Sequence, residues 1–383
     1  VTVDVPTYEL PERSIAQTPV EPRDAARLLV AVDPAGRVEH RRVADLAELV
    51  GPGDVMVVNT SRVLPARLHL TKRSGGAAEV LLLEPAPGGR PGCWEALVRP
   101  GRRLAPGTEL LAGGRVVVIV GERVDGGRRL VDLVDLRAET DAGTVAGTVA
   151  GTGGAGGGEG GPLSGVAPDP SGARPEGPAP DAVGRFLAGV GEIPLPPYIR
   201  RPLADPERYQ TVYADQPGSV AAPTAGLHLT RPLLAACRAA GAAIVEVDLA
   251  VGLGTFRPVT AGRAEDHDMH TERYEVPKAT LAACRDARRV IAVGTTTVRA
   301  LETAAATGEP SGRSRLFIHG DYPWRAVDVL MTNFHQPRST LLLLLEAFCG
   351  PRWRDLYATA LDEGYRFLSF GDAMIVGGGR GRR

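Results

Sequence analysis

Residues 143–178 contain 13 glycines and 5 prolines among 36 positions, and no aromatic residue. Such a stretch cannot bury enough apolar surface to offset the entropy of ordering it. The fold must therefore be built from what flanks it. The stretch begins with a near-repeat, Gly-Thr-Val-Ala at 143–146 and again at 147–150. Residues 141–181 read as a flexible Gly/Pro-rich linker. The chain as a whole is 43% hydrophobic and 23% charged, which excludes a wholly disordered protein, and its glycines follow no collagen period. Apolar runs such as 341–345 are about a quarter of the roughly 20 residues that a membrane span needs.

The two flanks differ in pattern. Before the linker, residues 55–58, 78–83, 94–98, 115–120 and 129–136 are short β-branched or Leu-rich runs. Turn sequences such as Pro87-Gly88-Gly89 and Asp125-Gly126-Gly127 separate them, and a helical patch at 44–50 interrupts them. This spacing predicts a small antiparallel barrel or sandwich. After the linker, strands and helices alternate. Thr230 before Pro232 predicts a capped helix over 231–240. Strands are expected at 243–251, 290–293, 316–319 and 327–331, and helices at 278–288, 297–306 and 341–348. Alternation of this kind implies an α/β layer with ligands at the carboxyl ends of its strands. Five of the seven histidines also lie beyond residue 180, so the chemistry is expected there.

The net charge of -1, from 44 basic and 45 acidic residues, gives no bulk attraction to nucleic acid and leaves only a local patch to supply it. Of the basic residues only Lys72 and Lys278 are lysines, as a codon bias would produce. Cys93, Cys237, Cys284 and Cys349 are widely spaced without a C-x-x-C pair, which indicates neither a zinc site nor a disulfide framework. The first residues carry acidic groups and no apolar core of a signal peptide, so a cytoplasmic location is expected.

Several segments have the composition of ligand sites. Residues 218–228, from Gly218 to His228 through Pro223, Thr224 and Gly226, form a small-residue loop running into a helix start, without a Walker lysine. Gly252-Leu253-Gly254-Thr255-Phe256-Arg257 follows a strand, but Arg257 stands where a dinucleotide fingerprint needs its third glycine. Glu265-Asp266-His267-Asp268-Met269-His270-Thr271-Glu272, four carboxylates and two imidazoles in eight residues, could serve acid–base chemistry or substrate contact or form a solvated loop, and lacks a third His or Cys for metal. Thr295-Thr296-Thr297-Val298-Arg299 places hydroxyls at a helix start that could accept a carboxylate or ribose. Thr332-Asn333-Phe334-His335 ends a strand with groups suited to a planar heterocycle, although a lone His is commonly structural.

Together with Tyr8-Glu9-Leu10-Pro11, Leu64-Pro65-Ala66-Arg67, Leu195-Pro196-Pro197-Tyr198, Glu207-Arg208-Tyr209-Gln210 and Phe370-Gly371-Asp372-Ala373-Met374, these segments resemble one family. It is the S-adenosylmethionine:tRNA ribosyltransferase-isomerase family of queuosine biosynthesis, and the resemblance covers nearly the whole chain outside the linker. It implies an α/β main domain (1–65 plus 182–383) with an inserted β-barrel-like domain (66–140) in the N-terminal half. It implies transfer and isomerisation of the ribosyl moiety of S-adenosylmethionine onto 7-aminomethyl-7-deazaguanine in tRNA. Epoxyqueuosine is formed, and adenine and methionine are released. S-adenosylmethionine is then a co-substrate, tRNA a partner, no metal or membrane is needed, and a monomer is expected.

This chemistry needs a base for the C5′ proton beside the sulfonium, and hydrogen bonding or protonation of the departing adenine. Candidate catalytic residues are His228, His267, His270, His335 and Asp266. Candidate substrate contacts are Asn59, Arg62, Arg67, Thr224, Gly226, Gly252, Gly254, Thr255, Phe256, Thr295, Thr296, Thr297, Arg299, Asn333 and Phe334. Arg62, Arg67, Arg200 and Arg201 are candidates to grip RNA. Four positions depart from the family pattern: Thr60 replaces an amide or carboxylate, Ala250 replaces a histidine, and Gln336 and Glu346 replace Leu and Ser. These departures leave open a paralogue that uses the same S-adenosylmethionine pocket on a small-molecule acceptor or simply cleaves it, and a non-catalytic binding relative.

Overall fold

The computed structural model describes residues 4–33, 36–88, 90, 92–101, 103–124, 127–134, 180–252, 264, 269 and 271–379. The linker reading at 141–181 lies outside these residues, except that Pro180 and Asp181 open a helix. The described chain forms two compact units, 1–64 with 193–383, and 65–192.

In chain order, β1 is Arg27–Ala31, β2 Glu39–Arg42, β3 Asp54–Asn59 and β4 Ser61–Val63. Then come β5 Arg67–Lys72, β6 Ala77–Pro85, β7 Cys93–Arg99, β8 Glu109–Ala112, β9 Arg115–Arg123 and β10 Arg129–Leu133. Helix α1 (Pro180–Val190) leads to β11 (Gly191–Glu192), followed by β12 (Gln216–Ser219), α2 (Arg231–Ala239) and β13 (Ala243–Leu249). Next are β14 Glu272–Glu275, α3 Lys278–Asp286, β15 Arg289–Val293, α4 Thr295–Thr307 and β16 Ser311–Ser314. The described chain closes with β17 Val329–Asn333, α5 Thr340–Cys349, α6 Trp353–Asp362 and β18 Ala373–Gly377.

The larger unit is built on a mixed sheet of nine strands in the order β16-β14-β13-β3-β15-β17-β18-β1-β2. Its centre, β13-β3-β15-β17, is parallel throughout. Strands covered on both faces should be apolar on both, and all six residues of β3 are buried. Alternation sends Val55 and Val57 into one core with α4, α5 and α6, and Met56 and Val58 into the other with α2. Helix starts follow local chemistry. The Thr230 hydroxyl accepts from the Leu233 amide at 3.2 Å and Ser339 accepts from Leu342 at 3.2 Å. Each such cap contributes about 1 kcal/mol. Helix α4 ends at Gly308, whose φ of 78° is left-handed and costs glycine nothing sterically.

In the smaller unit β5-β6-β7-β10-β9-β8 close into a barrel through pairing of Thr71 and Lys72 on β5 with Leu111 and Leu110 on β8. Its buried side chains include Leu68, Leu70, Val80, Leu82, Val98, Leu110, Val118, Val120 and Val131. The α/β sheet and the barrel in the N-terminal half are thus both present. Residues 182–192, read from the sequence as part of the α/β domain, lie in the barrel unit, because Gly191 and Glu192 pair with Leu68 and Arg67.

Several local expectations are corrected. The patch at 44–50 is a 3-10 turn, Val43–Glu48. Residues 316–319 are not a strand; the edge strand is β16, which pairs with β14. Strand β17 starts two residues later than expected and runs to Asn333, placing that amide in the sheet itself.

Candidate active site

Because β3, β13, β15 and β17 run parallel, their carboxyl ends share one edge of the sheet. They present Asn59, the Leu249–Gly252 corner, the Gly294 turn into α4, and Asn333. Asn59 is fully buried: its Oδ1 accepts from the amides of Ser61 and Leu249, both at 3.1 Å. Its Nδ2 donates to the Leu249 carbonyl (3.1 Å) and to Thr296 Oγ1 (3.2 Å). One side chain therefore ties three strand ends together.

A second amide, Asn333, holds His228. The 3-10 turn Thr224–His228 brings Thr224 and His228 against the end of β17. Asn333 Oδ1 accepts from Thr224 Oγ1 at 2.9 Å, and its Nδ2 contacts His228 Nε2 at 3.1 Å and the carbonyls of Leu368 (3.3 Å) and Asp372 (3.4 Å). Two carbonyls on Nδ2 fix the amide orientation, so Nδ2 donates and His228 Nε2 accepts. The neutral imidazole then carries its proton on Nδ1. Leu368 holds a left-handed φ of 70°, strain of about 1–3 kcal/mol for a non-glycine residue, and its carbonyl is the one aimed at Asn333.

Burial, with Arg366, Arg208 and Arg23 adding to it, pushes the His228 imidazole down to about 4. Burial alone takes His335 down to about 3. Both are neutral at pH 7. His335 Nε2 lies 2.9 Å from the Thr332 hydroxyl, which can donate or accept. Its backbone is clamped by two tyrosines: the amide donates to Tyr357 Oη at 2.8 Å, and the carbonyl accepts from Tyr8 Oη at 2.5 Å. Beside it, Tyr198, Thr224, Asn333, Gln336 and Ser369 line a cavity of about 30 Å³, room for one water and far below a small-molecule site. His228 and His335 are therefore both held from the protein side.

The helix start at Gly294 lies at the same edge of the sheet. Gly294 has φ 93° and α4 has no side-chain cap, so its first amides keep their donors for an anion. Thr295, Thr296 and Thr297 are all buried. Thr296 is engaged by Asn59, and Thr297 Oγ1 donates back to the Val293 carbonyl at 2.7 Å. Arg299, expected to meet substrate charge, is buried in an ion pair with Glu272. The other oxygen of Glu272 accepts from the Gly252 amide at 2.9 Å. This arginine therefore holds the Gly252 corner against α4. In the sequence Glu272 is only the last carboxylate of the 265–272 run; the register of β14 with β13 is what brings it to Arg299 and Gly252.

Other candidates are engaged by the protein itself. Phe334 is fully buried, stacked on Phe367 at 4.7 Å and edge-on to Tyr357 and Tyr365, so protein rings occupy its faces. A Cβ on Gly226 would overlap the Tyr213 hydroxyl, and one on Gly371 the Arg366 carbonyl, so these glycines serve close packing of the chain on itself. Arg62 pairs with Glu207 at 2.5 Å, Arg67 with Glu79 at 3.9 Å and Arg200 with Glu12 at 2.7 Å. Gly254, Thr255, Phe256, Asp266, His267 and His270 lie outside the described residues. Among the described residues no cluster of three His, Cys, Asp or Glu could hold a metal ion, and no helix is long and apolar enough to cross a membrane.

Residues 4–376 match the family described as queuosine biosynthesis protein. A relative from Rubrobacter xylanophilus, named S-adenosylmethionine:tRNA ribosyltransferase-isomerase, is 45% identical over 98% of both chains. One of the same name from Thermus thermophilus is 45% identical over 96% of this chain and 97% of its own. A crystal structure of S-adenosylmethionine tRNA ribosyltransferase from Thermotoga maritima is 32% identical over 97% of this chain and 99% of that one, with a TM-score of 0.48.

Proposed function

The chain belongs to the queuosine biosynthesis protein family, and from that premise we infer that it is an S-adenosylmethionine:tRNA ribosyltransferase-isomerase. It transfers the ribosyl carbons of S-adenosylmethionine to 7-aminomethyl-7-deazaguanine in tRNA and isomerises them to the epoxide, releasing adenine and methionine. The observation that carries this reading is the near-complete coverage, at 45% identity, of relatives bearing that name.

The geometry supports a division of labour. The C5′ proton needs a base; burial keeps the His335 imidazole unprotonated at neutral pH but also weakens it as a base, so His267 and His270 remain candidates with it for this role. His228, with Nε2 held by Asn333, offers Nδ1–H as a donor to a purine nitrogen of the leaving adenine. The uncapped start of α4 suits the methionine carboxylate. Asn59 and Glu272 are positioning residues that fix the strand ends around these groups.

The test incubates the protein with S-adenosylmethionine, with and without tRNA bearing the aminomethyl-deazaguanine, and follows adenine by mass spectrometry. Adenine is expected only when that tRNA is present. Adenine release without RNA would overturn the reading in favour of a paralogue with another acceptor.

A further inference from the structure

Arg129, on β10 of the barrel, is 3% exposed, and its guanidinium meets only backbone carbonyls. Nε and Nη2 donate to Gly121 at 3.2 and 2.8 Å, and Nη1 donates to Leu104 at 2.5 Å and Gly101 at 3.4 Å. Carbonyl dipoles satisfy the donors but leave the charge uncancelled. Other arginines of this unit are neutralised: Arg73 pairs with Glu109, Arg90 with Asp132 and Arg128 with Glu95. Arg129 borders a depression of about 410 Å³ whose rim carries Arg103 and Arg123, both exposed, and a single carboxylate, Glu122. Among the described residues no carboxylate lies within ion-pair distance of any of the three arginines. Arg123 is close enough to Arg129 to help lower its pKa, after burial.

Three cations around one concavity with one acid form a site that lacks its counter-charge, and an anion is the group that completes it. The volume exceeds a single phosphate and admits a phosphodiester with its neighbouring sugar. Of the sequence candidates, Arg62, Arg67 and Arg200 are engaged by carboxylates and Arg201 is exposed, whereas Arg103, Arg123 and Arg129 stand together around one concavity. We propose that the depression bounded by Arg103, Arg123 and Arg129 binds a backbone phosphodiester of the RNA substrate. The proposal rests on the tRNA reading above for its choice of polyanion.

The experiment measures affinity for tRNA by fluorescence anisotropy across a salt series, using the full chain and the surface double variant Arg103→Ala/Arg123→Ala. Loss of one or two phosphate contacts should weaken binding about 10-fold near 0.1 M salt and make the log–log salt slope shallower by roughly 1–2. Glu122→Gln should strengthen binding about 2-fold to 3-fold, since it removes the opposing charge from an otherwise unchanged surface. Adenine release is followed in parallel at saturating tRNA and should be unchanged in all variants. An unaltered affinity and slope with normal turnover would overturn the phosphate site and leave the enzymatic reading intact. An arginine-dependent slope without any turnover would keep the site and overturn the enzymatic reading. Failure of the wild-type chain to bind tRNA would overturn both.

Discussion

Among the described residues each unit buries one arginine, and the two are treated oppositely. Arg299 of the α/β unit is 6% exposed and paired with Glu272. Arg129 of the barrel is 3% exposed and surrounded by carbonyls alone. A paired buried charge exerts little field beyond its partner, so Arg299 acts as a brace for the strand ends. An unpaired one keeps its field at the neighbouring surface. The difference separates a unit built to hold neutral groups in fixed positions from one that presents charge.

The largest test breaks the brace. Glu272→Ala strands the Arg299 guanidinium and frees the Gly252 amide, and should cost about 3–5 kcal/mol in denaturant unfolding. A loss below about 1 kcal/mol would mean that the pair is not structural.

Acid should reach the α/β unit next. His228 and His335 have folded pKa values below the ordinary 6.5, so the unfolded chain binds more protons between pH 6.5 and their folded values of about 4 and 3. Stability is therefore full above pH 6.5 and falls as pH drops toward 4. At pH 5.5 each histidine accounts for about 1.4 kcal/mol of that loss. Replacing His335 by Gln should roughly halve the slope of stability against pH, and an unchanged slope would remove His335 from this account. Catalytic pH profiles should show no limb near 6.5.

Asn333→Ala removes the hydrogen-bond partner of Thr224 and His228 at once. It should lower kcat for adenine release about 10²-fold, with KM for tRNA little changed. A rise in KM alone would assign Asn333 to binding.

Arg129→Met should cost less than Glu272→Ala, about 1–3 kcal/mol. It removes the charge itself, and carbonyls beside an open depression can be rehydrated. An equal or greater loss would make Arg129 a brace like Arg299 and dissolve the contrast. The smallest effect expected is a gain: Ala250→His restores the imidazole of the family pattern and should raise tRNA-dependent turnover a few-fold. No gain would show that this position is not limiting.

What could be read from the chain follows from the range of the forces involved. Caps and periodicity act within a few residues, so α2 with Thr230, the buried strands β3 and β15, and the helix after Gly294 were all legible. Strands β1 and β18 were not, because nothing local marks them and they pair with each other about 345 positions apart. Asn59, Thr224, His228 and Asn333 stand out in the sequence as motif members, but their mutual contacts do not. Phe334 and Arg299 were assigned to ligand because an aromatic or a cation at a strand or helix end looks the same whether it faces a substrate or a core.

The sequence by itself determined the class of fold, the family, and which residue types stand at the carboxyl edge of the sheet. Those follow from composition and order along the chain, which local sterics and hydrophobic alternation translate directly into helices, strands and turns. Only the tertiary structure decided which charges are cancelled. Whether an arginine meets a carboxylate or a ring of carbonyls depends on strand register between distant segments, as with β14 on β13 for Arg299 and β10 on β9 for Arg129. Charge cancellation falls off over a few ångströms, and no one-dimensional pattern records that distance.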